Sequence, residues 1–222
     1  CAFALENRHI FEIRESVSWS ELAAVLNSKF HKDVGVYLCA EHLDFIYTMI
    51  PNRNDANIVS WEQFAKLTLP KRQFTFFEWF YKILILVREQ LLKMYCDGLI
   101  QGFISSELAE SLLLNCVDGT FLIRFSETFC GAISVAYVKN RTFDKLYPWD
   151  LDRLRKISLP HTVKCSDFLL YLYPNVPKDD VFCKYYVHNE TARSITGKDY
   201  QCDTNIAQVI NHGGQGSAFM AN

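Results

Sequence analysis

Arg124 is the residue whose chemistry most needs a reason. It sits in the run Thr120-Phe121-Leu122-Ile123-Arg124-Phe125-Ser126, whose branched and aromatic residues predict a strand over Thr120–Ser126. Alternate strand residues share a face, so Phe121, Ile123 and Phe125 point one way and Thr120, Leu122, Arg124 and Ser126 the other. A guanidinium beside Leu122 on a covered face costs several kcal/mol unless it is paired. No acid lies within two residues on that face. Either a remote carboxylate pairs with Arg124, or the position awaits an external anion. Ser126 lies one pleat further, and Glu127-Thr128 open a tight loop that closes at Gly131. Two hydroxyls, loop N–H groups and a guanidinium fork compose a cradle for phosphate, because the planar fork donates two parallel bonds to phosphate oxygens.

Other chemistries find no support. A cysteine phosphatase needs Cys-x5-Arg, but seven residues separate Cys116 from Arg124. HExxH, GxSxG and GxxxxGK[ST] are missing. The six histidines are dispersed, and Cys39 with His42 cannot build a zinc site alone. A helix–loop–helix spacing between Tyr47 and Phe64 resembles a calcium loop, with Ile58 eighth and Glu62 twelfth. Its first, third and sixth residues are Pro51, Arg53 and Ala56, where calcium needs Asp, Asp or Asn, and Gly. The expectation is an EF-hand-like shape with no metal and no cofactor.

The elements that must position Arg124 are legible on both sides. Ser18-Trp19-Ser20-Glu21, Ser60-Trp61-Glu62-Gln63 and Thr75-Phe76-Phe77-Glu78 each fit a capping box. They predict helices over Trp19–Phe30, Trp61–Leu67 and Phe76–Tyr95, with a further one at Ala40–Ile50. In the long helix Phe77, Phe80, Ile83, Leu84, Val87, Leu91 and Met94 form an apolar stripe. This half reads as a small helical bundle. Beyond Asp97-Gly98 come a short helix, Ser105–Asn115, the strand holding Arg124, a second strand, Ala132–Val138, and a helix, Thr162–Tyr173, stopped by Pro174 and Pro177. That order predicts an α+β domain with a sheet held between two helices. From Val187 the chain turns polar, and Gly-Gly-Gln-Gly at 213–216 marks a flexible tail.

Composition bounds the rest. Of 222 residues 50% are hydrophobic and 14% aromatic, which excludes a wholly disordered chain. With 23 Lys and Arg against 25 Asp and Glu, no basic face of the kind nucleic acid requires is expected. The longest apolar run, Ile83–Val87, falls far short of the roughly 20 residues of a membrane span. The chain opens on Cys1 without a secretory signal, as a piece of a longer protein would. Eight scattered cysteines without a CxxC pair read as reduced thiols. Among eleven tyrosines, Tyr200 alone follows Tyr186, in a polar stretch after Lys198-Asp199.

GTFLIRFSE (Gly119–Glu127), entered through Ser105–Asn115, resembles the start of a Src-homology 2 (SH2) domain. More specifically it resembles that of the STAT family, the signal transducers and activators of transcription. VSWEQFAKLTLPKRQFTFFEWF (Val59–Phe80) and DGLIQGFIS (Asp97–Ser105) are similar to the family's helical linker and its junction with SH2. WSELAAVLNSKF (Trp19–Phe30) is similar to the linker's opening, Cys1–Glu15 to the end of the DNA-binding domain, and YLYPNVPKDDVFCKYY (Tyr171–Tyr186) to the segment closing SH2. The resemblance implies an end of a DNA-binding domain at 1–15, a helical linker at 16–98, an SH2 domain at 99–186 and a phosphotyrosine tail at 187–222.

It further implies that Arg124 clasps phosphotyrosine and that Ser126, Glu127 and Thr128 form the phosphate loop. Where the family places a lysine at the start of the preceding helix, this chain has Ser106, a hydroxyl without charge; Lys145 or Arg141 are the basic residues available to compensate. Tyr200 takes the place of the activating phosphotyrosine. The implied partners are a tyrosine-phosphorylated receptor, a tyrosine kinase of the Janus type and a second copy engaged through the phosphorylated tail. DNA is reached only through the upstream domain, and no membrane is involved. Such a protein resides in the cytoplasm and moves to the nucleus on activation; it is not an enzyme. The rival is a phosphotyrosine adaptor, or a ubiquitin-ligase substrate module, that joins helices, an EF-hand-like unit and SH2 without binding DNA.

Overall fold

The three capping boxes form and start their helices. Ser18 Oγ accepts from Glu21 N (3.3 Å) while Glu21 Oε2 accepts from Ser18 N (3.1 Å), opening α1 (Trp19–Val34). α2 follows (Ala40–Thr48). Ser60 and Gln63 exchange bonds of 3.1 and 2.9 Å at α3 (Trp61–Ala65), and Thr75 and Glu78 bonds of 3.2 and 2.8 Å at α4 (Phe76–Leu86). The computed structural model describes residues 14–53 and 56–186, in two compact units divided between Tyr81 and Lys82.

In the first unit Phe30, Ile46, Phe76 and Trp79 are fully buried. Trp79 packs on Phe76 (6.0 Å between ring centroids) and on Phe45 (6.3 Å). Phe77, expected in the stripe, is 44% exposed and stacks outside on Tyr81. One position of α4 turns about 100°, so burying Phe76, Trp79 and Phe80 carries Phe77 off the core face.

The EF-hand-like shape is present in outline. Two three-residue strands, β1 (Ser16–Ser18) and β2 (Ile58–Ser60), pair antiparallel with Val17 opposite Val59, and each leads directly into a helix. In the loop before β2, Gln63 Nε2 donates to the carbonyls of Pro51 (2.9 Å) and Asn52 (2.7 Å). An amide N–H thus fills a place where a cation would need oxygen lone pairs. Calcium is expected to leave the melting temperature unchanged, whereas Gln63→Ala should cost about 1–2 kcal/mol through the lost cap and bonds. Melts with calcium and with a chelator check this. A calcium-dependent rise contradicts it, since a ligand of the folded state alone must stabilise that state.

In the second unit the predicted long helix is interrupted. After α4 the turn widens to a π-helical stretch, Val87–Leu91, before α5 (Leu92–Cys96). Val87, Leu91, Met94 and Tyr95 remain buried, and Glu89 reaches Arg155 at 2.7 Å. α6 (Ser106–Leu113) leads to β3 (Thr120–Phe125), β4 (Ala132–Lys139), β5 (Thr142–Lys145) and β6 (Trp149–Asp150). Then come α7 (Leu151–Lys156), α8 (Leu159–Cys165), β7 (Tyr171–Leu172), β8 (Val176–Pro177) and α9 (Lys178–Phe182).

The sheet runs β5-β4-β3-β7-β8, with β6 continuing beside β4. β3 pairs antiparallel with β4, and parallel with β7 on its other side. Leu122 and Ala136 pack under Ala109 and Leu113 of α6, with Ile104. On the opposite face Phe125 meets Phe103 (4.6 Å) and Phe121 meets Phe182 (6.2 Å). The fold is therefore the expected α+β one, a largely antiparallel sheet with helices on both faces.

The helix predicted over Thr162–Tyr173 forms only as far as Cys165. α8 starts earlier, capped by Ser158 with a proline in its first turn, and ends at Cys165. Lys178 Nζ donates to the carbonyls of Val163 (2.9 Å) and Ser166 (2.6 Å) at that end. Leu169 and Leu172 have helical spacing, but pairing of Tyr171 and Leu172 with β3 outweighs it.

Gly119 fixes where β3 begins. It has φ +87°, a Cβ there would lie 2.8 Å from Leu170 Cγ, and its carbonyl accepts from Leu170 N (2.8 Å). Gly119→Ala is expected to cost more than the ~1–2 kcal/mol of a left-handed backbone, because Leu170 must also move. Chemical denaturation measures the loss; an unchanged midpoint at equal slope contradicts it.

Candidate functional site

Arg124 is 4% exposed, on the β3 face that α6 covers, as the alternation predicts. Its Nη1 does all the donating among the described residues: to the Phe125 carbonyl (3.1 Å), the Ile104 carbonyl (3.4 Å) and Glu127 Oε1 (2.9 Å). Nε is buried and has no partner there. Burial draws the Arg124 pKa below its ordinary value, opposed by the Glu127 charge and hydrogen bond. The side chain stays a cation, as arginine does in proteins.

The paired carboxylate is thus neither remote nor on the strand. It comes from the loop three residues on, whose backbone turns back over the strand end. The same oxygen, Glu127 Oε1, accepts from Ser106 N (2.7 Å), the first helical residue of α6. Ser105, one residue earlier, is the N-cap, accepting from Leu108 N (3.0 Å). Glu127 therefore ties Arg124, the loop and the start of α6 together. Ser126 Oγ accepts from Thr128 N (3.2 Å) and Phe129 N (3.1 Å) and lies 3.3 Å from Thr128 Oγ1, bracing the loop from inside.

All five expected residues, Ser106, Arg124, Ser126, Glu127 and Thr128, lie in this bond-linked region. Tyr200 falls outside the described residues. Lys145 ends β5 opposite Ala136, at the same end of the sheet as Arg124. Arg141 sits in the hairpin turn beyond Lys139, five residues along β4 from Ser134 and so roughly 17 Å away.

Sequence reasoning missed Ser134. It lies directly opposite Arg124 in the β3–β4 register, is 2% exposed, and its Oγ has no partner among the described residues. A buried hydroxyl left unpaired is costly, so it marks a place for a further polar atom. The signal available was loop length: the 125–133 connection alone determines which β4 residue faces Arg124.

Together these groups form one buried guanidinium edge with free N–H, an unpaired hydroxyl across the strand, and a braced loop. That arrangement suits a multiply charged oxyanion. Among the described residues no group of three His, Cys, Asp or Glu could hold a metal ion, and no helix is long and apolar enough to cross a membrane.

Residues 6–80 match the model of the signal transducer and activator of transcription linker domain, and residues 99–164 match that of the SH2 domain. The chain is 35% identical over 194 residues to the signal transducer and transcription activator of Drosophila melanogaster, covering 83% of this chain and 26% of that protein. It is 37% identical over 210 residues to the human signal transducer and activator of transcription 6, covering 88% of this chain and 25% of the relative. This chain thus spans about a quarter of the length of either relative. A solved structure, an inactive choanoflagellate E3 ubiquitin ligase Cbl TKB, is similar at 18% identity over 84% of this chain and 53% of that one, with a TM-score of 0.29, too low to bear on fold or function.

Proposed function

Because the chain belongs to the STAT family, with that family's linker and an SH2 domain in sequence order, we propose that it is a phosphotyrosine receptor of the signal-transducer type. Arg124 clasps the phosphate, Ser126 and Thr128 shape the loop that faces it, and Glu127 and Ser106 hold that loop to α6. The observation that carries this reading is the buried Arg124 edge with its unpaired Nε, opposite the unpaired Ser134 hydroxyl.

On the same reading residues 1–15 close a DNA-binding domain, 16–98 are the linker, 99–186 the SH2 domain and 187–222 the tail. The SH2 domain takes phosphotyrosine from an activated receptor, and then from the Tyr200 segment of a second copy. A tyrosine kinase of the Janus type supplies the modification. Dimer formation, entry into the nucleus and DNA binding through the upstream domain follow in the whole protein. The match to the linker at 6–80 favours this over an adaptor or ubiquitin-ligase module.

The test is a titration with a Lys198–Ile210 peptide, phosphorylated on Tyr200 or not. Binding of the phosphorylated form alone supports the reading; equal binding of both defeats it.

A further inference from the structure

The loop that follows Arg124 rests on a helix. Gly131, where that loop closes, has φ +63°, and a Cβ built on it would lie 2.4 Å from Lys82 Cβ. The Lys82 carbonyl carbon and Cα would follow at 3.2 and 3.3 Å. These atoms belong to the body of α4 and not to the end of a flexible stem, so no rotamer change relieves them. Loop and helix meet here with no side chain between them.

Which of the two would yield depends on what holds each. Ile83 and Leu84, next along α4, are 0% and 2% exposed. The loop has Thr128 and Phe129 exposed. It is tied by Ser126 N to the Ala132 carbonyl (2.8 Å) at its root, and by Glu127 to Arg124 and to Ser106 N. A side chain at position 131 therefore lifts the loop, by about 1 Å before ordinary contact is regained. Thr128, Phe129 and the Glu127 anchor on Arg124 move with it. The strand end before the loop lies on the same helical run, since Phe125 stacks on Tyr95 of α5 (5.9 Å). Between Lys82 and Tyr95 comes the π-helical stretch Val87–Leu91, where Glu89 holds Arg155 of α7. Such stretches are frequent at functional sites.

We propose that Gly131 is a positioning residue for phosphotyrosine: its missing side chain seats the phosphate loop on the α4 backbone at Lys82, and that seat couples phosphate binding to the helical run behind it. This inference rests on the phosphotyrosine reading of the Arg124 site. A phosphate that fixes the loop also fastens the helix under it. By linkage, whatever steadies that helix raises phosphate affinity by the same factor.

The experiment uses the whole 222-residue chain, unphosphorylated, with the Lys198–Ile210 peptide phosphorylated on Tyr200 as probe. Gly131→Ala should weaken binding about tenfold or more, because charge-assisted bonds around the phosphate lose their geometry. Gly98→Ala is the control: its φ of +75° imposes the same left-handed strain, but nothing lies within 4 Å of the added Cβ. It should bind as the parent does. Adding Lys82→Gly to Gly131→Ala removes the 2.4 Å contact and should recover most of the affinity. Glycine inside a helix lowers the melting temperature at the same time. Affinity then rises while stability falls, which a merely structural loss would not produce. In hydrogen exchange the peptide should slow the amides of 82–91 in the parent and not in Gly131→Ala. Parent-like affinity of Gly131→Ala overturns the proposal, as does a loss that Lys82→Gly fails to restore or that Gly98→Ala reproduces. Unchanged exchange at 82–91 in the parent overturns the coupling. With binding abolished in Arg124→Ala, each of these failures leaves the phosphotyrosine reading intact. Unchanged affinity in Arg124→Ala sinks the reading itself.

Discussion

Phosphorylation of Tyr200 is expected to turn the chain from monomer to dimer. The modification adds about −1.5 to −2 charges and three strong acceptor oxygens, the complement of the Arg124 edge. Between Tyr186, the last described residue, and Tyr200 the chain advances 14 residues, which reach at most about 50 Å when fully extended. That reach alone permits the tyrosine to return to its own pocket. A tight return carries loop-closure entropy and removes Gln201–Ile210 from contact with the SH2 surface. Exchange between two copies fills both pockets at once and closes a two-fold interface, so each tail meets the other copy's SH2 domain. It also brings the Ile206, Val209 and Ile210 segments of the two tails together. Light scattering before and after kinase treatment reads the change in mass. A phosphorylated chain that stays monomeric at tens of micromolar, or a Tyr200→Phe chain that dimerises equally well, contradicts exchange. A phosphorylated Arg124→Ala chain mixed with unphosphorylated Tyr200→Phe should give a dimer held by one arm, weaker than the parent.

What the sequence made legible was local or periodic. The capping boxes at Ser18, Ser60 and Thr75 are three-residue interactions whose partners stand side by side in the chain. Arg124 was conspicuous because alternation on β3 requires a covered face at its position, and burial followed. Its partner was not legible from strand alternation, because Glu127 reaches back from the loop and not along the strand face. Ser134 depended on the β3–β4 register, which follows from the length of the 125–133 connection and not from the residues of either strand. β6, β7 and β8 are two residues each, too short to display a period. The overextended helix over Thr162–Tyr173 has the same origin: Leu169 and Leu172 fit a helical spacing, and only the neighbours β3 and β8 show that Leu172 lies in a strand. Phe77 failed for a subtler reason, since a broad apolar helix leaves the choice of inner face to its partners.

Replacing the Arg124 fork is expected to abolish most of the affinity for phosphotyrosine. Lysine keeps a positive charge but offers no planar pair of donors, and it cannot serve Phe125, Ile104, Glu127 and a phosphate together. The charge-assisted bonds lost are worth about 1.5–3 kcal/mol, which is roughly tenfold to more than a hundredfold in dissociation constant. Arg124→Lys is the cleaner variant, because Arg124→Ala leaves Glu127 without its cation and lowers stability as well. The decisive measurement is calorimetric titration of the parent chain and Arg124→Lys with the phosphorylated Lys198–Ile210 peptide, at a temperature where melts show both folded. The account predicts strong binding by the parent and a loss of at least tenfold in the variant. Equal affinity in the two would contradict it.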